Sequence, residues 1–268
     1  MMTSCIVAIA KKENNYIEEW VSHHLGIGVD RIIICDNNDT GDEKISDVID
    51  DPRVTVLDYR DVVSVQKKAY TDCFLKYREC FEWMIFIDCD EFIMLDGKYE
   101  NINQFLTDDM FAKADIIRLC WKVYSGGKKL DADGDYTVLG RFTDRFYVDA
   151  PDGHYSYSKS IIRGSIEYKG GFIQGHGYFN NKNNVSMNSE GRKTGNLFTK
   201  CLPGSYENAW IDHYPTKTIG EYVRQKYFRG GPNRNGRKYA DLKNFFKYND
   251  YDRELEEYGE KLITELKG

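Results

Sequence analysis

The sequence predicts an α/β fold, with a mainly parallel central sheet flanked by helices and a C-terminal helical extension. Three observations carry that prediction. Four consecutive apolar residues, Met84 to Ile87, read as a strand covered on both faces. Strand and helix patterns alternate before it, and strands joined by helix-length connections pair in parallel through right-handed crossovers. Acids stand where apolar runs end, at Glu13, Asp36 and Asp88, and ligands of open α/β sheets collect at the carboxyl ends of the strands.

Each element has its own signal. A first strand spans residues 5–9 and is followed by Lys11, Lys12 and Glu13. The next helix shows Ile17, Trp20, Val21 and Leu25 at i, i+3, i+4 and i+8, with Asn14 or Asn15 suited to cap it and Gly26 to end it. Residues 31–35 form a second strand that delivers Asp36, Asn37 and Asn38, and residues 54–57 a third, introduced by the Asp51-Pro52 turn. A helix from about Val65 to Phe81 carries Ala69, Cys73, Tyr77 and Cys80 on one side and leads into the central strand. Further on, Ile117, Leu119, Trp121 and Val123 share one face of a strand over 116–124.

Beyond that strand the periodicity weakens. Residues 125–158 suit an acceptor-side loop region, and the polar, glycine-bearing segment 180–196 suits a mobile loop that closes over a ligand. Residues 217–247 hold nine Lys or Arg against Glu221 and Asp241, whereas 250–265 hold seven acids against Arg253 and Lys261. Leu255, Tyr258, Leu262 and Ile263 then mark an amphipathic closing helix. The expected division is a catalytic domain over 1–215, with a nucleotide half 1–95 and an acceptor half 96–215, and a basic then acidic helical extension over 216–268.

Composition excludes some classes. A net charge of −6 argues against nucleic acid as the partner, and 41% hydrophobic with 30% charged residues reads as globular. Seven scattered cysteines without CxxC spacing read as reduced, buried small hydrophobes rather than a zinc site. No stretch resembles a signal peptide or approaches the ~20 apolar residues of a membrane span, so the expected location is cytoplasmic, with attachment at the inner face of a membrane through 217–247 left open.

The chemistry concentrates at the central strand. Asp88 and Asp90, at i and i+2 on a rigid strand end beside Glu91, suit a hard divalent cation, Mn2+ or Mg2+, that keeps positions open for phosphate oxygens. Glu13 and Asp36 are placed to accept hydrogen bonds from ribose hydroxyls and a base N–H, with Lys11 near the phosphates. An imide N–H on the base would favour UDP, leave GDP open and disfavour CDP. Neither Gly-x-Gly-x-x-Gly nor a Walker loop is present. His23 and His24 read as packed helix residues, while His176, between Gly175 and Gly177, leaves room for a ligand to approach the backbone.

These residues resemble a known family. Lys12-Glu13, Glu19-Trp20, His23, Gly28-Val29, Asp36-Asn37, Gln66 and then Trp83 through Asp88-x-Asp90-Glu91-Phe92 are similar to GT-A glycosyltransferases related to family 2 and especially family 92. The similarity continues through Trp121, Tyr124-Ser125-Gly126-Gly127, Arg141-Phe142, Lys159-Ser160-Ile161, His213-Tyr214, Lys217-Thr218, Glu221-Tyr222, Lys226 and Arg229-Gly230. The resemblance implies a GT-A-like fold and metal-dependent transfer of a sugar from a nucleotide-diphosphate donor to a glycan or lipid-linked glycan, with inversion. It adds His213 to the metal set, Gln66 and Asp88 to the nucleotide site, and Trp121, Lys217, Lys226 and Arg229 as acceptor or phosphate contacts, which the glycine-flanked His176 joins on its own spacing.

Inversion needs a carboxylate base on the face opposite the leaving diphosphate. Asp144, Asp149, Asp152, Glu167, Glu190 and Asp212 are the candidates in the later half. Two other readings remain: a Mg-dependent phosphatase or phosphotransferase built on Asp-x-Asp, and a non-catalytic carbohydrate-binding protein, to which 20 Tyr, 14 Phe and 4 Trp would be suited.

Overall fold

The structure is a computed structural model that describes residues 2–63, 65–146, 156–179, 184–195, 200–201, 204–229 and 241–268. The chain runs β1 (Met2–Ala10), α1 (Asn14–Gly26), β2 (Arg31–Asp36), β3 (Val54–Asp58), α2 (Gln66–Tyr77), β4 (Phe81–Phe86), β5 (Glu91–Leu95), α3 (Ile102–Leu106) and β6 (Ile116–Tyr124). It continues through β7 (Arg145–Phe146), β8 (Ser156–Arg163), β9 (Phe172–Gln174), β10 (Gly177–Phe179), β11 (Ser186–Asn188), β12 (Lys200–Cys201), β13 (Ala209–His213), α4 (Ile219–Tyr222) and α5 (Arg253–Lys267). Two compact units share it: Met1–Trp121 with Asp149–Asp212, and Lys122–Val148 with His213–Gly268. The chain therefore enters the second unit twice, rather than once at residue 216.

The sheet has the order β3-β2-β1-β4-β8-β6-β13-β5. Its first four strands are parallel, in registers that set Ala10 against Asp36 and Asp36 against Asp58. β8 then pairs antiparallel with both β4 and β6. The sheet is thus mixed, where the sequence predicted a mainly parallel one. The parallel half follows from Cys5, Val7, Ile33, Cys35, Met84 and Phe86, which pack with Ala69, Tyr70, Cys73 and Phe74 of α2 into one apolar cluster.

The sheet must also curl. β4 and β5 lie four strand spacings apart along the sheet, about 19 Å if it were flat. Only four residues separate them, and Glu91 N–H donates to Asp88 O within that link, a turn that limits its reach to about 14 Å. The acidic stretch is this link, so the turn that closes the sheet also presents the acids.

Other details differ from expectation. Glu13 rather than Asn14 or Asn15 stands at the N-cap of α1, without a side-chain capping bond. α1 does end at Gly26 as expected, and the positive φ that follows falls on Gly28, at 92°. α2 ends at Tyr77. The predicted loop 180–196 contains β11, parallel to β6, and a bridge from Met187 to Lys193. Its residues 180–183 and 196 lie outside the described residues, as do 230–240 of the basic segment. Cys5, Cys35, Cys73, Cys89 and Cys120 are free and buried, and Cys80 is free and exposed.

In the second unit, Ile219, Tyr222, Val223, Leu242, Phe245, Leu255, Leu262 and Ile263 form a core of their own. Asp252 caps α5 by accepting from Glu254 N and Leu255 N. The Gly126 position explains its residue: a Cβ there would sit 1.8 Å from Lys217 O.

Candidate functional site

Strand order fixes where a ligand would sit. From β1 the chain adds β2 and β3 on one side and β4 on the other, so the carboxyl ends of β1 and β4 flank a topological switch point. Lys11 and Glu13 follow β1, Asp36 ends β2, and Asp88 follows β4. Lys11 pairs with Asp39 at 2.6 Å. Glu13 is buried, and its carbonyl accepts from Tyr16 N and Ile17 N. Asp36 is buried, and its two oxygens accept from Asn38 N and Ile45 N at 3.0 Å each, which folds the loop after β2 back onto the strand end.

At β4 the acids meet a cation. Lys159 Nζ lies 2.5 Å from Asp88 Oδ2 and 3.2 Å from Glu91 Oε2. It comes from β8, whose antiparallel register puts Ser160 opposite Phe86 and therefore Lys159 next to the end of β4. The Asp88 carboxylate also accepts from Gln66 Nε2 at 3.0 Å and Tyr70 Oη at 3.3 Å, while Asp88 N donates to Glu91 Oε2. Burial works to raise the Asp88 pKa, but Lys159 outweighs it and holds the carboxyl below its ordinary value. Burial pushes Glu91 well above its ordinary value, with Lys159 opposing. Lys159 is itself raised: burial works to lower it, and the Asp88 and Glu91 charges prevail.

Asp90, Glu91 and His213 are all buried, and each offers one ligand atom within 4.8 Å of the others. Glu91 opens β5 and His213 ends β13, two adjacent strands of the sheet. Two carboxylate oxygens and an imidazole nitrogen are a donor set that a divalent cation such as Mn2+ accepts. Of the three expected metal residues, Asp90 and His213 therefore converge together with Glu91, and Asp88 stands beside them on Lys159.

β5 is an edge strand, and its outward backbone groups need partners. α1 supplies them. Trp20 Nε1 donates to Glu91 O at 2.8 Å, His23 Nε2 meets Ile93 O at 2.7 Å, and His24 accepts from Ile93 N at 3.2 Å while its Nδ1 meets Trp20 O at 2.8 Å. These histidines have the packed role that the sequence suggests, and they fix the strand that carries Glu91. Burial lowers the pKa of both, and of His24 strongly.

An aromatic group borders the acids. Trp121 stacks on Tyr157 at 5.7 Å and meets His176 edge-on at 5.6 Å, with Lys159 Nζ 5.8 Å from the Trp121 ring centre. His176 Nδ1 contacts Ser158 O at 2.7 Å; burial, aided by the Lys159 charge, lowers its pKa to about 4. In the second unit, Lys217 and Lys226 are buried, Lys217 lies 3.5 Å from Gln225 Oε1, and Arg229 is half-buried. Glu221 pairs with Arg141 at 2.5 Å, both side chains buried.

The base candidates separate. Asp149 and Asp152 lie outside the described residues. Asp144 is exposed, and Glu167 pairs with Lys169 beyond Arg163, the end of β8 opposite Trp83 and so the edge away from Asp88. Asp212 is buried and accepts from Trp210 Nε1; strand alternation turns it to the face opposite His213. Glu190 follows β11, which runs with β6 toward the edge where Trp121 lies, and pairs with Arg192 at 3.2 Å. Sequence reasoning gave Tyr70 and Tyr157 no place and Lys159 no role. The available signal was a lone cation between Ser158, Ser160 and the apolar Ile161-Ile162.

With this geometry in place, the chain can be set among known proteins. A family model for glycosyltransferase family 92 matches residues 1–165. The chain belongs to glycosyltransferase family 92. A family 92 protein of Oryza sativa subsp. japonica is 35% identical over 106 residues, 39% of this chain and 17% of that protein. One of Ricinus communis is 36% identical over 93 residues, 34% of this chain and 17% of that protein. A longer match to the same Ricinus communis protein, 28% identical over 174 residues, covers 59% of this chain and 28% of that protein, so the matches span between about a sixth and somewhat over a quarter of these relatives' length. The crystal structure of HddC from Yersinia pseudotuberculosis aligns over 80% of this chain and 81% of its own at 15% identity, with a TM-score of 0.34, too remote a likeness to carry an argument. No helix among the described residues is long and apolar enough to cross a membrane.

Proposed function

We propose that this chain transfers a sugar from a nucleoside diphosphate, a UDP-sugar in the first instance, to a hydroxyl of a glycan or lipid-linked glycan, with inversion. The observation that carries the reading is the convergence of Asp90, Glu91 and His213 at strand ends beside the switch point in a chain of family 92. Those three residues would hold the divalent cation, Mn2+ by the donor set, and a cation there supplies charge to offset the departing diphosphate. Glu13, Asp36 and Gln66 lie on the nucleotide side, and Trp121, Tyr157 and His176 offer aromatic faces on the sugar side.

In the reaction, the acceptor oxygen forms the bond to the anomeric carbon as the bond to the diphosphate oxygen breaks. The acceptor proton passes to a carboxylate, and the nucleoside diphosphate leaves with the electron pair. Register favours Glu190 as that base. It belongs to the half that presents Trp121, whereas Asp88 and Asp90 lie on the metal side.

Calorimetric titration of UDP, GDP and CDP in the presence of Mn2+ tests the donor reading. UDP should bind most tightly, and a clear preference for CDP would overturn it. Proton NMR of the first-formed product should show a β-linkage from an α-donor. The Glu190→Gln variant should lose transfer while UDP binding stays unchanged.

A further inference from the structure

Lys159 occupies an unusual place for a lysine. Its side chain is only 3% exposed, and its ammonium contacts two carboxylates of the same acidic turn. The space around it is shaped for it: a Cβ on residue 175 would lie 2.9 Å from Nζ and 3.0 Å from Cδ, and that residue is Gly175. A buried charge is retained only where its partners hold it, and here the partners are Asp88 and Glu91. Glu91 is also one of the three residues that offer a ligand atom to a metal.

We propose that Lys159 is a positioning residue that makes divalent-metal binding depend on the nucleoside diphosphate. This rests on the metal-dependent reading above. A lysine ammonium inside the acidic cluster already meets part of its negative charge, so it repels a free divalent cation that approaches Asp90, Glu91 and His213. A nucleoside diphosphate brings anionic oxygens that restore the balance, and metal and nucleotide then bind with positive coupling. The same ammonium bridges the Asp88 and Glu91 carboxylates and so fixes their positions ahead of that arrival. Because coupling is reciprocal, the metal strengthens nucleotide binding by the same factor.

The test is a Mn2+ titration followed by electron paramagnetic resonance, with and without UDP, on the whole chain. Wild type should bind Mn2+ weakly alone and at least about tenfold more tightly with UDP. The Lys159→Met variant should bind Mn2+ alone at least about tenfold more tightly than wild type, and the gain from UDP should shrink by a similar factor. A purely structural role predicts the opposite, a weakened site. Gly175→Ala, which keeps every charged group and presses on the Lys159 stem, should move both quantities in the same direction by less. It also serves if Lys159→Met does not fold. Unchanged or weaker Mn2+ binding in the folded variants, against a wild type that binds Mn2+ with UDP, overturns this inference alone. A wild type that binds no Mn2+ even with UDP overturns the metal reading and this inference with it.

Discussion

The two strand ends on either side of β1 use the same side chain in different ways. At the end of β2, both oxygens of Asp36 accept backbone N–H groups of its own loop. At the end of β4, the acids face Lys159, Gln66, Tyr70 and one another, and Asp90 and Glu91 converge with His213. Both read alike in sequence, as an apolar run ending in Asp. The difference lies in the following residues. After Asp36 the chain doubles back and brings Asn38 and Ile45 to the carboxylate. After Asp88 it reaches Glu91, the first residue of β5, in three residues, and the Asp88 carboxylate meets side chains of α2 and β8 instead of its own loop.

The largest expected effect separates the two ends. Asp90→Asn should lower transfer by about 100-fold or more, the scale of losing one charge-stabilising group in a transition state. Its melting temperature should stay near that of wild type, because the amide has the shape of the carboxylate and removes a like charge from beside Asp88 and Glu91. Turnover above a tenth of wild type, measured with saturating Mn2+, would remove Asp90 from the site.

The parallel half was legible because its signals are local. β1, α1, β2, β3, α2 and β4 each appear within a few residues of their predicted places, since an apolar period and a strand-end acid need only neighbours in sequence. β8 was missed because Ser158, Lys159 and Ser160 are polar yet fully or almost fully buried; a strand that brings a cation into the core has lost the alternation by which strands are read. β11 is three residues long, and its pairing with Ile116 to Arg118 is set from about 70 positions away. The division into units escaped for the same reason, as residues 122–148 join a body formed mostly by the chain after 213. The site was half visible. Asp88 and Asp90 stood out by residue type and place in the chain, and His213 through the family resemblance, whereas Glu91 as a converging group and Lys159 as their counter-ion depend on curl and register, which no local pattern encodes.

Asp36→Asn sharpens the contrast from the other side. An amide offers one acceptor oxygen and turns an N–H2 toward a backbone donor, which leaves a buried N–H without its partner. The cost should be about 2–3 kcal/mol, or on the order of 5–10 °C in melting temperature for a chain of this size. If the Asp36 carboxylate acts mainly on its loop, Asp36→Asn should lose stability while Asp90→Asn does not. A stable Asp36→Asn protein with weakened UDP binding would instead give Asp36 a direct part in holding the nucleotide.

The smallest effect concerns α1, which holds the Glu91 strand in place. The neutral His24 ring has both nitrogens engaged, meeting Trp20 O and accepting from Ile93 N. A second ring proton would point at the Ile93 N–H and place a charge in the core. Its pKa in the folded chain lies well below 6.5, and that of His23 is lowered as well, burial being the first cause for both. As pH falls below about 6.5 the unfolded chain therefore takes up protons that the folded chain refuses, so stability declines with falling pH, by up to about 1.4 kcal/mol per unit for each such group. Glu91, raised by burial, works the other way above 4.5, so the total slope mixes several groups. The difference between wild type and His24→Gln isolates one of them. Thermal melts from pH 7.5 to 5 should show the variant less stable at pH 7.5 and with a shallower decline below pH 6.5. Parallel curves for the two proteins would mean that His24 carries its proton in the folded state, and that α1 does not hold β5 through a neutral imidazole.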